Sequence, residues 1–369
     1  MLLRLSDQGT LLLSSSRTVL SSPRASGEVI QNSSEVSSAR GETIRVLAVV
    51  PGNGQGSSMV FVKRQIDSLA HVGVDVRTFF LGSRTAPITI AKEWGRLRRE
   101  IRYFRPHLIH AHYGTVTSFL CAMVSRLPLV ITFRGNDLGD DPDISLLRTR
   151  FGQILSQISA LKATRIICVS RRLRDRLWWR KDRTAVIPTG VNLTLFRPQD
   201  RREARALLGW EEGTRIVIFD EGGAPRRKGL AFLQSAIRIA EQDIGPIRLV
   251  ILDRTVSPEL VPRYLNGSDC LALASLFEGS PNIVKEALAC NLPVVATDVG
   301  DVSERLDGVF PSRVVKRDAV EFANALTELL RDGRHSNGRN HVDSCSLPRV
   351  ADAIRSVYES VRVPKSANK

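Results

Sequence analysis

From Ile44 onward, short apolar runs alternate with longer segments whose apolar residues recur at helical spacing. Runs of about four to eight residues predict buried strands, and the longer amphipathic segments predict helices between them. In the first part of the chain, the predicted strands are Ile44–Val50, Asp75–Leu81, His107–Ala111 and Leu129–Phe133, and the predicted helices are Ser58–His71, Ile90–Phe104 and Thr115–Arg126. Single helices between successive strands imply a parallel sheet built from right-handed βαβ units.

A second series of the same kind follows. Its predicted strands are Ile166–Val169, Ala185–Ile187, Arg215–Phe219, Arg248–Leu252, Cys270–Leu273 and Val294–Thr297, with helices at Leu230–Glu241 and Ile283–Ala289. The sequence therefore predicts two doubly wound α/β domains, residues 43–197 and 198–345, that face each other and join around Pro188–Pro198. A last amphipathic helix, Leu347–Val361, lies in the C-terminal segment 346–369.

Residues 1–42 differ in composition from the rest of the chain. They are rich in serine and contain no aromatic residue, so they bury too little apolar surface to repay the entropy of ordering. We expect a disordered tail or a misplaced start codon. A transit peptide is the alternative, because its Arg- and Ser-rich composition with few acids is partly present.

The charge balance is strongly basic, since 53 Lys and Arg against 38 Asp and Glu give a formal net charge of +15. This balance favours a polyanionic neighbour: nucleic acid, an anionic membrane face or a phosphorylated substrate. Five cysteines without a C-x-x-C pair indicate neither a disulfide framework nor a zinc site. Because this cysteine usage fits a reducing compartment, we expect a cytoplasmic protein.

A glycine-rich loop, with Gly52, Gly54 and Gly56, directly follows the first predicted strand and opens a helix. Glycines there let backbone N–H groups approach an anion, and the helix N-terminus adds partial positive charge. A nicotinamide cofactor would also require an acid at the end of the second strand, which ends Phe80-Leu81-Gly82-Ser83 instead. The sequence argues against NAD and predicts a phosphate or polar-acceptor loop, although a tight turn would use the same glycines.

Asp141-Pro142-Asp143 has the D-x-D spacing that can hold a divalent cation on a sugar diphosphate. That motif needs to end a hydrophobic strand, and here it lies in a loop of Gly, Asp and Pro residues. We therefore predict a solvated loop and assign no metal.

The segment from Glu278 to Glu286 is the most informative stretch of the chain. A predicted strand runs into a loop, and a helix is expected to begin near Pro281, since proline is favoured at the first helical position. This helix N-terminus would expose backbone amides to a diphosphate. Glu286, about one turn further on, could accept two ribose hydroxyls, and Glu278 precedes the helix where a donor sugar would lie.

The same segment resembles the E-x₇-E motif of the family 4 glycosyltransferases, which are retaining enzymes with the two-Rossmann GT-B fold. Similar stretches elsewhere are Val261–Asn266 with Asp269, Glu286–Cys290, Leu292–Asp301, Ile109–Gly114 and Val186–Val191 with Phe196. The likeness covers roughly residues 43–362. It implies the GT-B fold, with two facing Rossmann-like domains and a C-terminal helix that returns to the first domain.

By this resemblance, Glu278 would contact hydroxyls of the donor sugar, and Glu286 would bind the ribose of a UDP- or GDP-linked donor. The remaining donor-binding residues would be Ser280, Pro281, Asn282, Ile283 and Val284, with the backbone of 282–284 on the diphosphate. The family uses no metal and no cofactor other than this co-substrate.

The resemblance also implies two cations across the diphosphate. Lys228 matches the family's lysine, but Gly223 stands where the family has an arginine. We predict that Arg226 or Arg227 replaces it, and we assign the catalytic roles to Glu278, Lys228 and Arg227. A basic loop before a helix is the alternative interpretation.

The first domain departs from the family pattern at Thr132-Phe133-Arg134-Gly135-Asn136-Asp137, where the family often has a histidine in place of Arg134. Arginine stays protonated and cannot act as a general base, but it could hold a phosphate or an acidic acceptor. Thr189 and Asn192 likewise replace the usual Asn and Asp. His112 is predicted to point into the cleft and His110 to the opposite face; a packed or capping histidine is the alternative for both.

Two basic stretches, residues 92–105 and 171–183, interleave cations with tryptophan and aliphatic residues. They predict basic amphipathic helices suited to an anionic membrane surface, although an ordinary face packed through its apolar stripe is equally consistent. Nucleic-acid binding is not expected, because no zinc-finger, basic-zipper or RNA-recognition signature accompanies the charge.

These observations predict a retaining glycosyltransferase that moves a sugar from a nucleotide donor to a glycan or lipid-linked acceptor. Two alternatives remain: a catalytically degenerate partner subunit of the same fold, suggested by Arg134 and Gly223, and a nucleotide-sugar epimerase, which would convert the donor without an acceptor.

Overall fold

The computed structural model describes residues 43–55, 59–82, 87–253 and 255–361. The predicted tail 1–42 lies outside these residues, as does Gly56. Two parallel sheets of six and five strands are flanked by helices, which confirms the predicted fold class of two doubly wound α/β domains.

The first domain contains six strands in the order β2-β1-β3-β4-β5-β6, all parallel. The strands are β1 Ile44–Pro51, β2 Val74–Leu81, β3 Leu108–His112, β4 Leu129–Phe133, β5 Arg165–Cys168 and β6 Thr184–Val186. The helices are α1 Val60–Ala70, α2 Pro87–Phe104, α3 Thr115–Val124, α4 Leu146–Lys162 and α5 Arg171–Asp175, with a 3-10 turn at Lys181–Arg183. Buried aliphatic residues dominate the strands, as expected for a sheet covered on both faces.

The second domain contains five parallel strands in the order β11-β10-β9-β7-β8. These are β7 Arg215–Asp220, β8 Ile247–Leu252, β9 Cys270–Leu273, β10 Val294–Thr297 and β11 Arg313–Val315. The helices are α6 Arg201–Leu208, α7 Pro225–Lys228, α8 Leu230–Ile244, α9 Val261–Gly267, α10 Asn282–Ala289, α11 Val302–Leu306 and α12 Ala319–Asp332, followed by 3-10 turns at Gly338–His341 and Asp343–Cys345.

The last helix, α13 (Leu347–Val361), crosses back to the first domain, as expected. Its buried face, with Val350, Ile354 and Tyr358, packs into one core with Val46 and Leu108 of the first sheet. The crossing begins where Val191 forms a parallel bridge to Ser346.

The first basic stretch forms the predicted helix and packs through its apolar stripe, which is one of the two interpretations of the sequence. On α2, Leu97 is fully buried and Trp94, Ile101 and Phe104 pack against the core of the first domain, so the apolar stripe of this helix is used by the fold. In 171–183, only Arg171–Asp175 is α-helical. The prediction of a continuous helix there is wrong. The backbone N–H of Trp178 donates to Gln157 Oε1, and the indole N–H of Trp179 donates to the backbone carbonyl of Gln157. These bonds hold the chain across α4.

Candidate active site between the two sheets

The loops with the predicted donor-binding residues leave two adjacent strands of the second sheet. After β7 the chain forms β8 on one side, and it then crosses to form β9 on the other side of β7. In open α/β sheets, ligand crevices form where the strand order reverses in this way, outside the carboxyl ends of the strands. The β7 loop carries Arg227 and Lys228 and the β9 loop carries Glu278, so the three side chains meet there.

Glu278 is held by three donors at one oxygen. Its Oε1 accepts from Ser275 Oγ at 2.9 Å and from Lys228 Nζ at 2.9 Å, and Arg227 Nη1 lies at 3.3 Å. Burial would raise the pKa of Glu278, but the charges of Lys228 and Arg227 outweigh it and hold that pKa below its usual value. Glu278 is therefore a carboxylate at neutral pH and can accept hydrogen bonds from hydroxyl groups.

Lys228 is buried and bridges two acids, since its Nζ also lies 3.1 Å from Asp220 Oδ2. Desolvation opposes the charge, but Asp220 and Glu278 together raise the pKa of Lys228 above its usual value. Of the two neighbouring arginines, Arg227 reaches Glu278 and Arg226 is exposed. Asp220 was not singled out from the sequence, although an acid at the carboxyl end of a predicted strand was a usable signal.

The Asp141-Pro142-Asp143 loop, expected to be solvated, lies across the cleft against Arg227. Asp141 is buried, with Oδ2 3.7 Å from Arg227 Nε, and Asp143 Oδ2 accepts from the backbone N–H of Arg227 at 3.2 Å. The prediction was wrong for Asp141, because the facing domain supplies a cation that no local pattern reveals. In the described part of the chain, no group of three or more His, Cys, Asp or Glu side chains is arranged to hold a metal ion.

Helix α10 begins at Asn282, and Pro281 is its N-cap, with extended backbone at φ −66° and ψ 119°. Pro281 was predicted to be the first helical residue, and it instead lies one position before the helix. Ser280 Oγ donates to Asp301 Oδ2 at 2.9 Å and accepts from Lys285 Nζ at 2.9 Å. The buried Lys285, which the sequence did not indicate, adds a positive charge beside a helix N-terminus that already favours anions.

Glu286 faces a small cavity between the two domains. The cavity is lined by Phe61, Arg64, Gly190, Val191, Asn192, Asn282, Lys285 and Glu286. Among the described residues, none donates a hydrogen bond to the Glu286 carboxylate or forms an ion pair with it. Burial raises the pKa of Glu286 to about 7, although the charge of Arg64 opposes the shift. A partly buried carboxylate without a partner, beside this cavity, is suited to a ligand that brings hydroxyl donors.

Arg134 approaches this cavity from the first domain. Its Nη1 donates to Thr189 Oγ1 at 3.0 Å, its Nη2 donates to Gln65 Oε1 at 3.2 Å, and its guanidinium lies 5.3 Å from the ring centroid of Phe61. Gln65 was not singled out from the sequence. It lies on α1, and no motif in the neighbouring sequence indicates a functional role for it.

His110 and His112 lie on the same face of β3, with ring centroids 3.9 Å apart, and both are fully buried. The prediction that they point to opposite faces was wrong, because side chains two residues apart on a strand share a face. His110 bonds to Tyr358 Oη and Thr132 Oγ1, and His112 Nδ1 lies 3.0 Å from Arg134 Nη2. Burial lowers the pKa of His110 to about 3 and the pKa of His112 well below its usual value, so both rings are neutral.

The glycine-rich loop is described only up to Gln55. Gly54 has φ +79°, and a Cβ there would lie 2.8 Å from the ring of Phe80. Its carbonyl accepts from Lys63 Nζ at 2.5 Å. Both the turn and the close packing therefore require glycine at this position, whether or not a ligand binds.

The two domains touch through glycines next to Glu278. A Cβ on Gly279 would lie 2.0 Å from the carbonyl oxygen of Arg134, so only glycine permits this approach. Arg172 adds a bond from Nη2 to Asp298 Oδ2 at 2.5 Å across the same cleft. Consequently, the predicted residues of both domains, Arg134 and His112 from one and Glu278 and Glu286 from the other, lie around one cleft.

Comparison with known proteins agrees with this arrangement. Residues 38–195 match the family described as Glycosyltransferase Family 4, and residues 230–332 match that described as Glycosyl transferases group 1. The chain belongs to the family 4 (group 1) glycosyltransferases. This glycosyltransferase is 28% identical over 283 residues to TuaC of Bacillus subtilis, a putative teichuronic acid biosynthesis glycosyltransferase, covering 72% of this chain and 68% of TuaC.

A second relative is the D-inositol 3-phosphate glycosyltransferase of Mycobacterium tuberculosis, which is 28% identical over 209 residues. That match spans 48% of this glycosyltransferase and 43% of the relative. Among solved structures, sucrose-phosphate synthase from Thermosynechococcus elongatus has a TM-score of 0.69 at 18% identity, covering 86% of this chain and 99% of that one. Anabaena HepE in complex with UDP and glucose has a TM-score of 0.67 at 16% identity, covering 86% and 100%. These similarities show the GT-B fold.

Proposed function

We propose that this glycosyltransferase uses a nucleoside diphosphate sugar and retains the anomeric configuration. The observation that carries the proposal is the pair of acids at the α10 N-terminus. Glu278 is ionised and held by two cations, whereas Glu286 is unpaired beside the cavity between the domains. Glu278 binds hydroxyls of the donor sugar, Glu286 binds the ribose hydroxyls, and the amides at the start of α10 bind the diphosphate between them.

The chemical step needs stabilisation of the departing diphosphate. The bond from the anomeric carbon to the diphosphate oxygen breaks while a bond to the acceptor oxygen forms on the same face of the sugar. The acceptor proton passes to the departing phosphate oxygen, so no protein nucleophile is used. Lys228, Arg227 and the α10 N-terminus lie where the negative charge develops, and each such contact typically contributes about 3 kcal/mol to lowering the barrier.

The similar proteins support a uridine nucleotide and a polysaccharide product. HepE was solved with UDP and with UDP-glucose, and TuaC is described as acting in teichuronic acid biosynthesis. We accordingly propose a UDP-linked donor and a glycan or lipid-linked acceptor, with no metal and no further cofactor. The test is product formation by the pure protein with UDP-sugars. Donor conversion without acceptor would instead indicate an epimerase, and absence of any turnover would indicate a partner subunit.

Donor binding is expected to weaken at acid pH through Glu286. Its pKa of about 7 means that the carboxylate is fully present only above that pH, and protonation removes an acceptor for the ribose hydroxyls. Calorimetry with UDP-glucose, a diphosphate diester whose charge is constant over this range, should show Kd rising toward tenfold per pH unit below about 7. Glu286→Gln should bind about 10- to 100-fold more weakly, and with little pH dependence.

Glu212→Gln provides the matched control, because this glutamate is exposed before β7, away from the cleft. It should reproduce the wild-type Kd and its pH profile. Equal pH profiles for the wild type and Glu286→Gln would show that Glu286 does not bind the donor.

A further inference from the structure

Among the described residues, the guanidinium of Arg134 forms no ion pair, although the charge of Asp137 acts on it from beyond ion-pair distance. Its side-chain partners are the neutral groups of Thr189, Gln65 and His112. The adjacent Asp137 accepts instead from the backbone N–H groups of Gly114, Arg134 and Gly135. In the described part of the chain, no carboxylate lies within ion-pair distance of this guanidinium. Burial lowers the pKa of Arg134 only to about 10, so it remains protonated at neutral pH.

The hydrogen-bond directions around Arg134 leave two N–H donors without an acceptor. Since a guanidinium only donates, His112 Nδ1 must accept from Nη2, which places the single proton of this neutral ring on Nε2. That Nε2 is buried and has no partner, and the same holds for Nε of Arg134. Two unsatisfied N–H donors beside a guanidinium without an ion pair are the features of a site that can take an anion.

The position of Arg134 places this anion site in the substrate cleft. Its backbone touches Gly279, next to Glu278. Its side chain packs on Phe61, which lines the cavity of Glu286. Arg134 therefore lies between the residue proposed for the donor sugar and the residue proposed for the ribose.

We infer that Arg134, with His112, binds an anionic group, carboxylate or phosphate, carried by one of the sugar substrates. This inference rests on the proposed function. A neutral sugar would leave the guanidinium desolvated and unpaired, whereas an anion would satisfy its charge and at least one free donor. The donor diphosphate has its own cations on α7 and α10, so the group bound by Arg134 belongs to the transferred sugar or to the acceptor.

The test compares Arg134→Gln, which removes the charge, with Arg134→Lys, which keeps it. Calorimetric Kd values are measured for UDP, UDP-glucose and UDP-glucuronate. An anionic donor sugar predicts that the wild type prefers UDP-glucuronate at least tenfold, that Arg134→Gln loses the preference, and that Arg134→Lys keeps part of it. UDP itself should bind all three proteins within about threefold.

An anionic acceptor predicts a different pattern. Both UDP-sugars would bind alike. With UDP already bound, the wild type would bind glucose 1-phosphate or glucuronate at least tenfold more tightly than glucose. Arg134→Gln would lose this difference. The inference is overturned if neither panel discriminates charge, or if Arg134→Gln weakens UDP as strongly as the sugars, which would put Arg134 on the diphosphate. If the wild type fails to bind UDP, the result contradicts the proposed function itself and not only the role of Arg134. The wild-type comparison stands even if a variant does not fold.

A second, independent observation concerns the outer face of α4. Leu147, Phe151, Ile154, Ile158 and Leu161 repeat at intervals of four and three residues and are between 40% and 86% exposed. They form one apolar stripe along the helix, and we call it the α4 stripe. At its far end lie the exposed Met123, whose sulfur is 3.4 Å from Lys162 Nζ, and the exposed Trp178. A monomer seldom exposes so continuous an apolar surface without a binding partner.

Positive charges predominate around the α4 stripe, although Arg150 of this helix pairs with Asp140 at 3.5 Å. Residues 144–174 contain no Asp or Glu and seven Lys or Arg. Arg126, Arg148 and Lys162 are exposed, and none of them forms an ion pair within the described residues. No helix in the described part of the chain is long and apolar enough to cross a bilayer. An apolar helix face flanked by unpaired cations instead suits the surface of an anionic membrane.

We propose that the α4 stripe docks on an anionic lipid surface. Co-sedimentation of the full chain with vesicles of phosphatidylcholine and phosphatidylglycerol (3:1) should show binding that Leu147→Ser with Phe151→Ser reduces at least tenfold. Leu207→Ser, an exposed leucine on α6, is the matched control and should bind as the wild type does. Arg148→Glu should weaken binding, and pure phosphatidylcholine should bind poorly. Absence of vesicle binding, or a wild-type dimer that the serine variants dissociate, would overturn the proposal.

Discussion

Replacing Glu278 with alanine is expected to slow sugar transfer by about 100- to 1,000-fold, with nucleotide affinity changed only a few-fold. The substitution removes the proposed acceptor of donor-sugar hydroxyls. It also leaves Lys228 and Arg227 with only their second acids, Asp220 and Asp141, so the arrangement of cations near the diphosphate loosens. The measurement is a steady-state transfer assay alongside calorimetric binding of UDP.

Two control variants separate chemistry from folding. Glu278→Gln keeps the size of the side chain and one acceptor oxygen, and it should recover part of the lost rate because Ser275 and Lys228 can still donate to it. Arg226→Ala, at the exposed neighbour on α7, should leave the rate within about threefold. Unchanged product formation by Glu278→Ala at wild-type melting temperature would remove Glu278 from the mechanism.

Replacing Tyr358 with alanine is expected to lower the free energy of unfolding by about 3–5 kcal/mol, the usual cost of truncating a large buried aromatic residue. Tyr358 is fully buried and lies in the core that α13 shares with the first sheet. Its hydroxyl also bonds to His110 Nδ1 at 2.6 Å. Urea unfolding followed by circular dichroism measures the effect.

Tyr358→Phe should cost only about 1–3 kcal/mol, because the ring remains and His110 loses one partner. Tyr103→Ala removes an exposed tyrosine on α2 and should change the stability little. A loss below about 1 kcal/mol for Tyr358→Ala would mean that α13 is not part of the cooperative unit of the first domain.

The strands could be predicted closely because each is a short buried run bounded by polar or glycine-containing turns. Cys270–Leu273, for example, has the bounds that were expected of it. Helix α4 was missed, since the α4 stripe faces outward and the helix also buries polar residues such as Ser156 and Gln157. A helix that buries polar residues and exposes apolar ones does not show the buried apolar face by which an amphipathic helix is recognised in a sequence.

In the site, the sequence alone determined which chemical groups lie at each strand end. These groups are two acids around a helix N-terminus, a lysine on a glycine-containing loop and an arginine after β4. Strand ends collect these groups at one edge because parallel sheets place all carboxyl ends together. Only the tertiary structure decided how they pair. Asp141 meets Arg227 across the cleft, whereas the guanidinium of Arg134 bonds to neutral groups such as Thr189. Side chains far apart in sequence become partners only once both domains are packed.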